Sequence, residues 1–166
     1  MSIVPTNVNY TYNLLRSNLI SLNSLYPFLN IQIVGNSVMG KNIYVIKLGN
    51  GSNKVFYSGG IHANEWITST LLMKFIEDYA TAYVQNSSLY GYNIRNLFNS
   101  SSIYIMPMVN PDGVNLVTGS LPTNSFAYER ALSISNNFPN IPFPSGWKAN
   151  INGVDFKKHQ PFCKVL

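Results

Sequence analysis

Gly59-Gly60-Ile61-His62-Ala63-Asn64-Glu65 is the stretch of this sequence with the clearest chemical content. It follows a β-rich run and opens an apolar-periodic one. Imidazole nitrogen and carboxylate oxygen are both donors to catalytic zinc, at about 2.0–2.2 Å. Two such residues three apart, at a strand-to-helix junction, can turn toward one ion. The preceding glycines let the backbone bend there without a Cβ clash. Spacing alone decides little. With two His and three Glu in 166 residues, a His-x-x-Glu arises by accident with odds of roughly 4%, and an isolated pair is more often a surface hydrogen bond.

The elements that must position this pair are legible around it. Val55–Ser58 reads as a short strand ended by the two glycines. From Glu65 to Val84, Ile67, Leu71, Leu72, Phe75, Ile76 and Tyr79 mark an amphipathic helix. Upstream, residues 10–26 place Leu14, Leu15, Leu19, Leu22 and Leu25 at helical spacing, closed by Pro27. Asn30–Gly35 and Ile43–Leu48 are β-rich runs separated by Gly40. Asn50-Gly51-Ser52-Asn53 predicts a hairpin turn into the next strand. Downstream, a short helix is expected over Tyr92–Phe98 and a buried strand over Ser102–Val109. Asn110-Pro111-Asp112-Gly113 is a strong turn signal. A helix follows over Phe126–Asn137, then an irregular Asn- and Pro-rich loop to Gly146. Strands alternating with helices favour an α/β layer, helices packed on a sheet.

Composition narrows the function classes. Apolar residues are 46% and charged residues 10% of the chain, which is globular rather than disordered. The net charge of +5 reflects a shortage of acids, three Asp and three Glu. The basic residues are scattered, without the clustered stripe of a nucleic-acid surface, so no nucleic-acid partner is expected. The single cysteine, Cys163, excludes an internal disulfide and a Cys-based zinc knuckle. The start, Met1 to Asn7, has neither the basic lead nor the apolar core of a signal peptide. No run approaches the roughly 20 apolar residues of a membrane span. The chain as written is expected to be soluble and cytoplasmic.

Three ordered segments carry a resemblance. GGIHANEWITSTLLMKFIEDYA (59–80) resembles the first zinc-ligand segment of the zinc carboxypeptidase family, whose pattern is Gly-x-His-x-x-Glu-Trp. PMVNPDGV (107–114) resembles the family's strand and Asn-Pro-Asp-Gly turn. GWKANINGVD (146–155) resembles the segment leading into its substrate-binding loop. Residues 26–49 are similar to the family's opening helix and hairpin. Within the family the chain is most similar to the bacterial branch that cleaves γ-D-glutamyl–diamino acid bonds in cell-wall peptides. The resemblance implies an α/β fold, a mixed sheet with helices on both faces, with its C-terminal portion missing. It implies that residues 1–155 are the N-terminal part of one zinc peptidase domain and 156–166 a divergent tail.

Roles follow from the same resemblance, position by position. His62 and Glu65 would bind Zn2+. Asp155 would accept the other ring N–H of His62 and fix its tautomer. Lys148 stands where carboxypeptidases place an arginine that polarises the scissile carbonyl. Lysine brings the charge without the bidentate fork. Lys158 stands at the position of an arginine that grips the substrate carboxylate. Asn110 and Asp112 are expected to form the turn rather than take part in chemistry. The implied partner is a peptide, such as a peptidoglycan stem peptide.

The sequence also departs from the family. Its zinc needs a second histidine well downstream of Asp155, and its reaction needs a glutamate base beyond that. His159 comes too early to match, and Glu129 is the last glutamate. After Asp155, Phe156-Lys157-Lys158-His159 replaces the family's aliphatic-Asn-Arg continuation. These departures predict a truncated or frame-disrupted peptidase, inactive alone. The alternative is a non-catalytic remnant that binds peptide or peptidoglycan.

Overall fold

The computed structural model describes residues 2–156. Helix α1 (Tyr12–Leu25) starts where the Thr11 side chain accepts from the Leu14 N–H, and it buries Leu15, Leu19 and Leu22. Leu25, part of the predicted apolar spacing, is exposed. Strands β1 (Asn30–Asn36) and β2 (Asn42–Leu48) form an antiparallel hairpin. Its tip turns at Gly40, where φ is +75°, a conformation glycine reaches without strain. β3 (Asn53–Ser58) leads to a 3-10 turn (Ala63–Glu65) and helix α2 (Ile67–Val84). A two-strand ribbon, β4 (Ser88–Leu89) and β5 (Tyr92–Asn93), precedes α3 (Ile94–Ser100). Strand β6 (Ser101–Met106), α4 (Pro111–Val117) and α5 (Phe126–Ser135) follow.

The main sheet has the order β1-β2-β6-β3 and is mixed. β6 runs antiparallel to β2 and parallel to β3. The predicted hairpin at Asn50–Asn53 is therefore not formed; β6 inserts between the two strands it would have joined. The reason lies in the glycines. Asn50 N–H donates to the Phe98 carbonyl, Gly51 N–H to the Ser101 carbonyl, and the Ser102 hydroxyl to the Gly51 carbonyl at 2.7 Å. The segment lies directly on the start of β6, and a Cβ at Gly51 would overlap the Ser100–Ser101 backbone. Gly51→Ala is expected to cost about 2 kcal/mol by overpacking. Gly35→Ala serves as control, because its Cβ would meet nothing within 4 Å. Equal urea midpoints for the two variants would refute this account of the crossing.

Ile46 and Leu48 pair with Ile105 and Ile103, and all four are buried on one face of the sheet. They join Leu15, Leu19 and Leu22 of α1 and Met73, Ile76 and Tyr79 of α2 in the main core. Two predicted apolar positions of α2 face outward instead: Ile67 and Leu71 are 55% and 68% exposed. The buried stripe at that end of the helix is Ser69 and Thr70. Small residues are needed there because a Cβ on Gly60 would already come within 2.7 Å of the Ser69 hydroxyl. A smaller cluster of Ala63, Leu116, Leu121, Ala131, Trp147 and Ile151 ties the 3-10 turn to α4, α5 and the 147–151 loop.

β3 is an edge strand among the described residues. All six of its residues are exposed, Phe56 by 57%. No described helix is long and apolar enough to cross a membrane.

Candidate metal centre

β3 hands the chain to the site through two glycines. Gly59 N–H donates to the Met106 carbonyl, and the Gly59 and Gly60 carbonyls accept from Val109 and Asn110 N–H. A side chain at Gly59 would meet Leu72 and the carbonyls of Pro107 and Thr68 at about 3 Å. Gly60 has φ +56°. Together they form the bend between β3 and His62. The Thr68 hydroxyl locks the bend, accepting from Gly60 N–H at 2.8 Å and donating to the Glu65 carbonyl at 2.7 Å.

His62 is 8% exposed and extended, and Glu65 N–H donates to its carbonyl. That one turn of 3-10 helix puts both side chains on one side. Nδ1 of His62 lies 2.9 Å from Glu65 Oε1. Nε2, at the other end of the ring, lies 3.4 Å from Asp155 Oδ1. The imidazole thus stands between two carboxylates, one for each nitrogen.

Asp155 reaches the ring from a loop built by Asn150. The Asn150 side-chain oxygen accepts from Asn152 and Val154 N–H, and Gly153 takes φ +81° to close the turn. Lys148 is held through its backbone: its carbonyl accepts from Ala63 N–H at 3.0 Å. Its side chain is exposed and lines a cavity of about 420 Å3 with Phe143, Trp147 and Asp155. Lys158 and His159 lie outside the described residues.

The Asn110–Gly113 signal marks more than a turn. Asn110 caps α4, its side-chain oxygen accepting from Gly113 N–H at 3.1 Å, with Pro111 in the first turn. Asn followed by Pro is a helix start, and that signal was present in the sequence. Asp112 is 1% exposed and ion-paired to Lys41 Nζ at 2.7 Å, while Met39 N–H donates to its other oxygen at 2.9 Å. This latch fastens the tip of the β1–β2 hairpin to α4. No local pattern joins residues 41 and 112.

In type, an imidazole nitrogen and a carboxylate oxygen 2.9 Å apart suit zinc. In number they are two donors. Among the described residues no group of three or more His, Cys, Asp or Glu could hold a metal ion. Asp155 sits at the opposite ring nitrogen and does not complete the set.

The sequence matches the zinc carboxypeptidase family over residues 15–161. Gamma-D-glutamyl-L-diamino acid endopeptidase 1 of Lysinibacillus sphaericus is 40% identical over 159 residues, covering 96% of this chain and 39% of that protein. Protein YqgT of Bacillus subtilis (strain 168) is 37% identical over 139 residues, 82% of this chain and 36% of that one. Among solved structures, bovine thrombin-activatable fibrinolysis inhibitor, in complex with tick carboxypeptidase inhibitor, superposes with a TM-score of 0.57. It is 22% identical over 85% of this chain and 36% of its own, which speaks to the fold. The chain spans less than two fifths of the length of these relatives. With the glycine bend, the His62–Glu65 pair and the mixed sheet all inside the matched stretch, this chain belongs to the zinc carboxypeptidase family.

Proposed function

We propose that residues 1–155 are the N-terminal part of a zinc peptidase domain, with His62 and Glu65 as two of its zinc ligands. The observation that carries this is the division of the imidazole: Nδ1 faces Glu65 and Nε2 faces Asp155. A metal held at Nδ1 leaves Nε2–H to be accepted by Asp155, which fixes the ring's tautomer and orientation. Zinc in such a site supplies Lewis acidity toward a scissile carbonyl. Lys148, exposed at the cavity beside Asp155, supplies positive charge to the developing oxyanion. The substrate class is a peptide with a γ-D-glutamyl–diamino acid bond, by analogy with the Lysinibacillus relative. For the 166 residues by themselves the proposal is zinc binding without turnover, since the resemblance requires a second histidine and a glutamate base downstream of Asp155.

Zinc titration of the full chain tests this. One equivalent is expected to bind, weakly for a two-ligand site. His62→Ala is expected to abolish binding, and Asp155→Asn to weaken it by about 10–100-fold. Zinc uptake that survives His62→Ala would sink the assignment. Hydrolysis of a γ-D-glutamyl–diamino acid peptide by the purified chain would overturn the absence of turnover.

A further inference from the structure

We infer that Asn110 is a positioning residue for the metal pair, its buried carboxamide setting the His62 turn against the loop that carries Lys148 and leads to Asp155. The inference rests on the zinc-site reading above. Asn110 is 2% exposed. Its Nδ2 donates to the Ala149 carbonyl at 2.9 Å and lies 3.4 Å from the Ile61 carbonyl and 3.5 Å from that of Lys148. Its oxygen caps α4 through Gly113 N–H. One amide therefore touches three separate pieces of chain.

Those pieces are the ones whose relative placement makes the site. Ile61 immediately precedes His62. Lys148 and Ala149 begin the loop that ends at Asp155. The neighbouring Ala63 N–H to Lys148 carbonyl bond, 3.0 Å, ties the same two segments on the other side of His62. His62 is bracketed by a tie at each adjacent residue. The slot holding the amide has no slack: a Cβ on Gly113 would come within 2.6 Å of Asn110 Nδ2 and 2.8 Å of the Ala149 carbonyl.

The chemistry separates positioning from capping. A helix cap needs only an acceptor, and Asp or Ser caps about as well as Asn. Clamping the carbonyls of Ile61 and Ala149 needs a donor at the position of Nδ2. Asp lacks a donor there when ionised, and the Ser hydroxyl is too short to make both sets of contacts.

The test uses the full chain in a His159→Gln background, where His62 is the sole histidine. Asn110→Ser and Asn110→Asp are compared with Asn110 in two measurements. The first is the low-field ring N–H signal of His62 in 15N-histidine-labelled protein without metal. The second is zinc affinity. Asn110 is expected to show a slowly exchanging ring N–H. Asn110→Ser, with thermal midpoint and helical content near those of the parent, is expected to lose that signal and to bind zinc at least tenfold more weakly. Asn110→Asp is expected to do the same; should it fail to fold, the serine variant is read alone. Retention of the His62 signal in a folded Asn110→Ser protein overturns the inference, because capping would then be the whole role. The ring signal is read without zinc, so a parent that binds no metal refutes the zinc-site reading and leaves this test standing.

Discussion

Asp112→Ala is expected to lower folding stability by about 3–5 kcal/mol, the usual cost of removing one partner from a buried ion pair. The carboxylate is 1% exposed, and it satisfies Lys41 Nζ and Met39 N–H at once. Alanine leaves a largely buried ammonium without its counter-charge and a backbone donor without its acceptor. It also frees the hairpin tip from α4, the helix whose cap is Asn110. The charge pair itself need not be net stabilising, because desolvating two ions offsets much of their attraction. The double variant Lys41→Met/Asp112→Leu is therefore expected to recover most of the loss. Urea unfolding of Lys41→Met, Asp112→Leu and the double completes the cycle. Strict additivity of the two single losses would show that the pair is not what couples hairpin to helix.

Glu77 is expected to make stability fall in acid. It lies in α2, 6% exposed, and its carboxylate gathers the chain's beginning. Ile3 N–H donates to it at 2.6 Å, the Ser2 hydroxyl at 2.8 Å, Lys74 Nζ at 3.1 Å and Val4 N–H at 3.2 Å. Burial by itself would raise its pKa. The donors from Ile3, Ser2, Lys74 and Val4 outweigh burial and hold the carboxyl below its ordinary value. Lys74 also contacts Asp78 at 2.7 Å, so the cluster is one cation between two acids. A carboxyl whose pKa is lower in the folded chain stabilises at pH above its unfolded value, and that contribution is lost as pH falls through the folded value. The unfolded value is about 4.3. Glu77→Gln is expected to cost about 3 kcal/mol at pH 7, as charge-assisted bonds become neutral ones and Lys74 keeps only Asp78 as an acidic partner. The gap between parent and variant should close on going below about pH 4. Thermal midpoints at pH 7 and pH 3 decide it; an unchanged gap means that the carboxylate is not the clasp.

Neither of these contacts could be read along the chain. Glu77 sits on a helix that the 3.6-residue pattern locates well, yet Ser2, Ile3 and Val4, which it gathers, are more than seventy residues away. Lys41 and Asp112 are equally distant. Local periodicity reports which residues face inward, and it is silent on which inward acid meets which donor. The hairpin expected at Asn50–Asn53 failed for a related reason. Two glycines beside Asn and Ser signal a sharp bend, and the same glycines are required for lying flat on β6. Turn chemistry marked the place and could not name the neighbour. Ile67 and Leu71 misled because apolar residues at helical spacing define a stripe but not the surface it meets. The His62–Glu65 contact was legible because the spacing that brings the two side chains together is local: three residues across a single 3-10 turn that follows two glycines. Asp155 was placed through resemblance, and its approach to Nε2 depends on a loop ninety residues downstream.

Among the described residues the outer edge of β3 has no neighbouring strand. In a ladder, each residue turns its N–H to one side only, and the strand here has a described neighbour on one side. Amide protons along Asn53–Ser58 should therefore fall into two interleaved sets, those bonded to β6 trading slowly with deuterium and those facing outward trading quickly. Anything that later lies along this strand writes its arrival into the fast set alone, so a single isotope-exchange trace of six residues records whether the outer edge is covered.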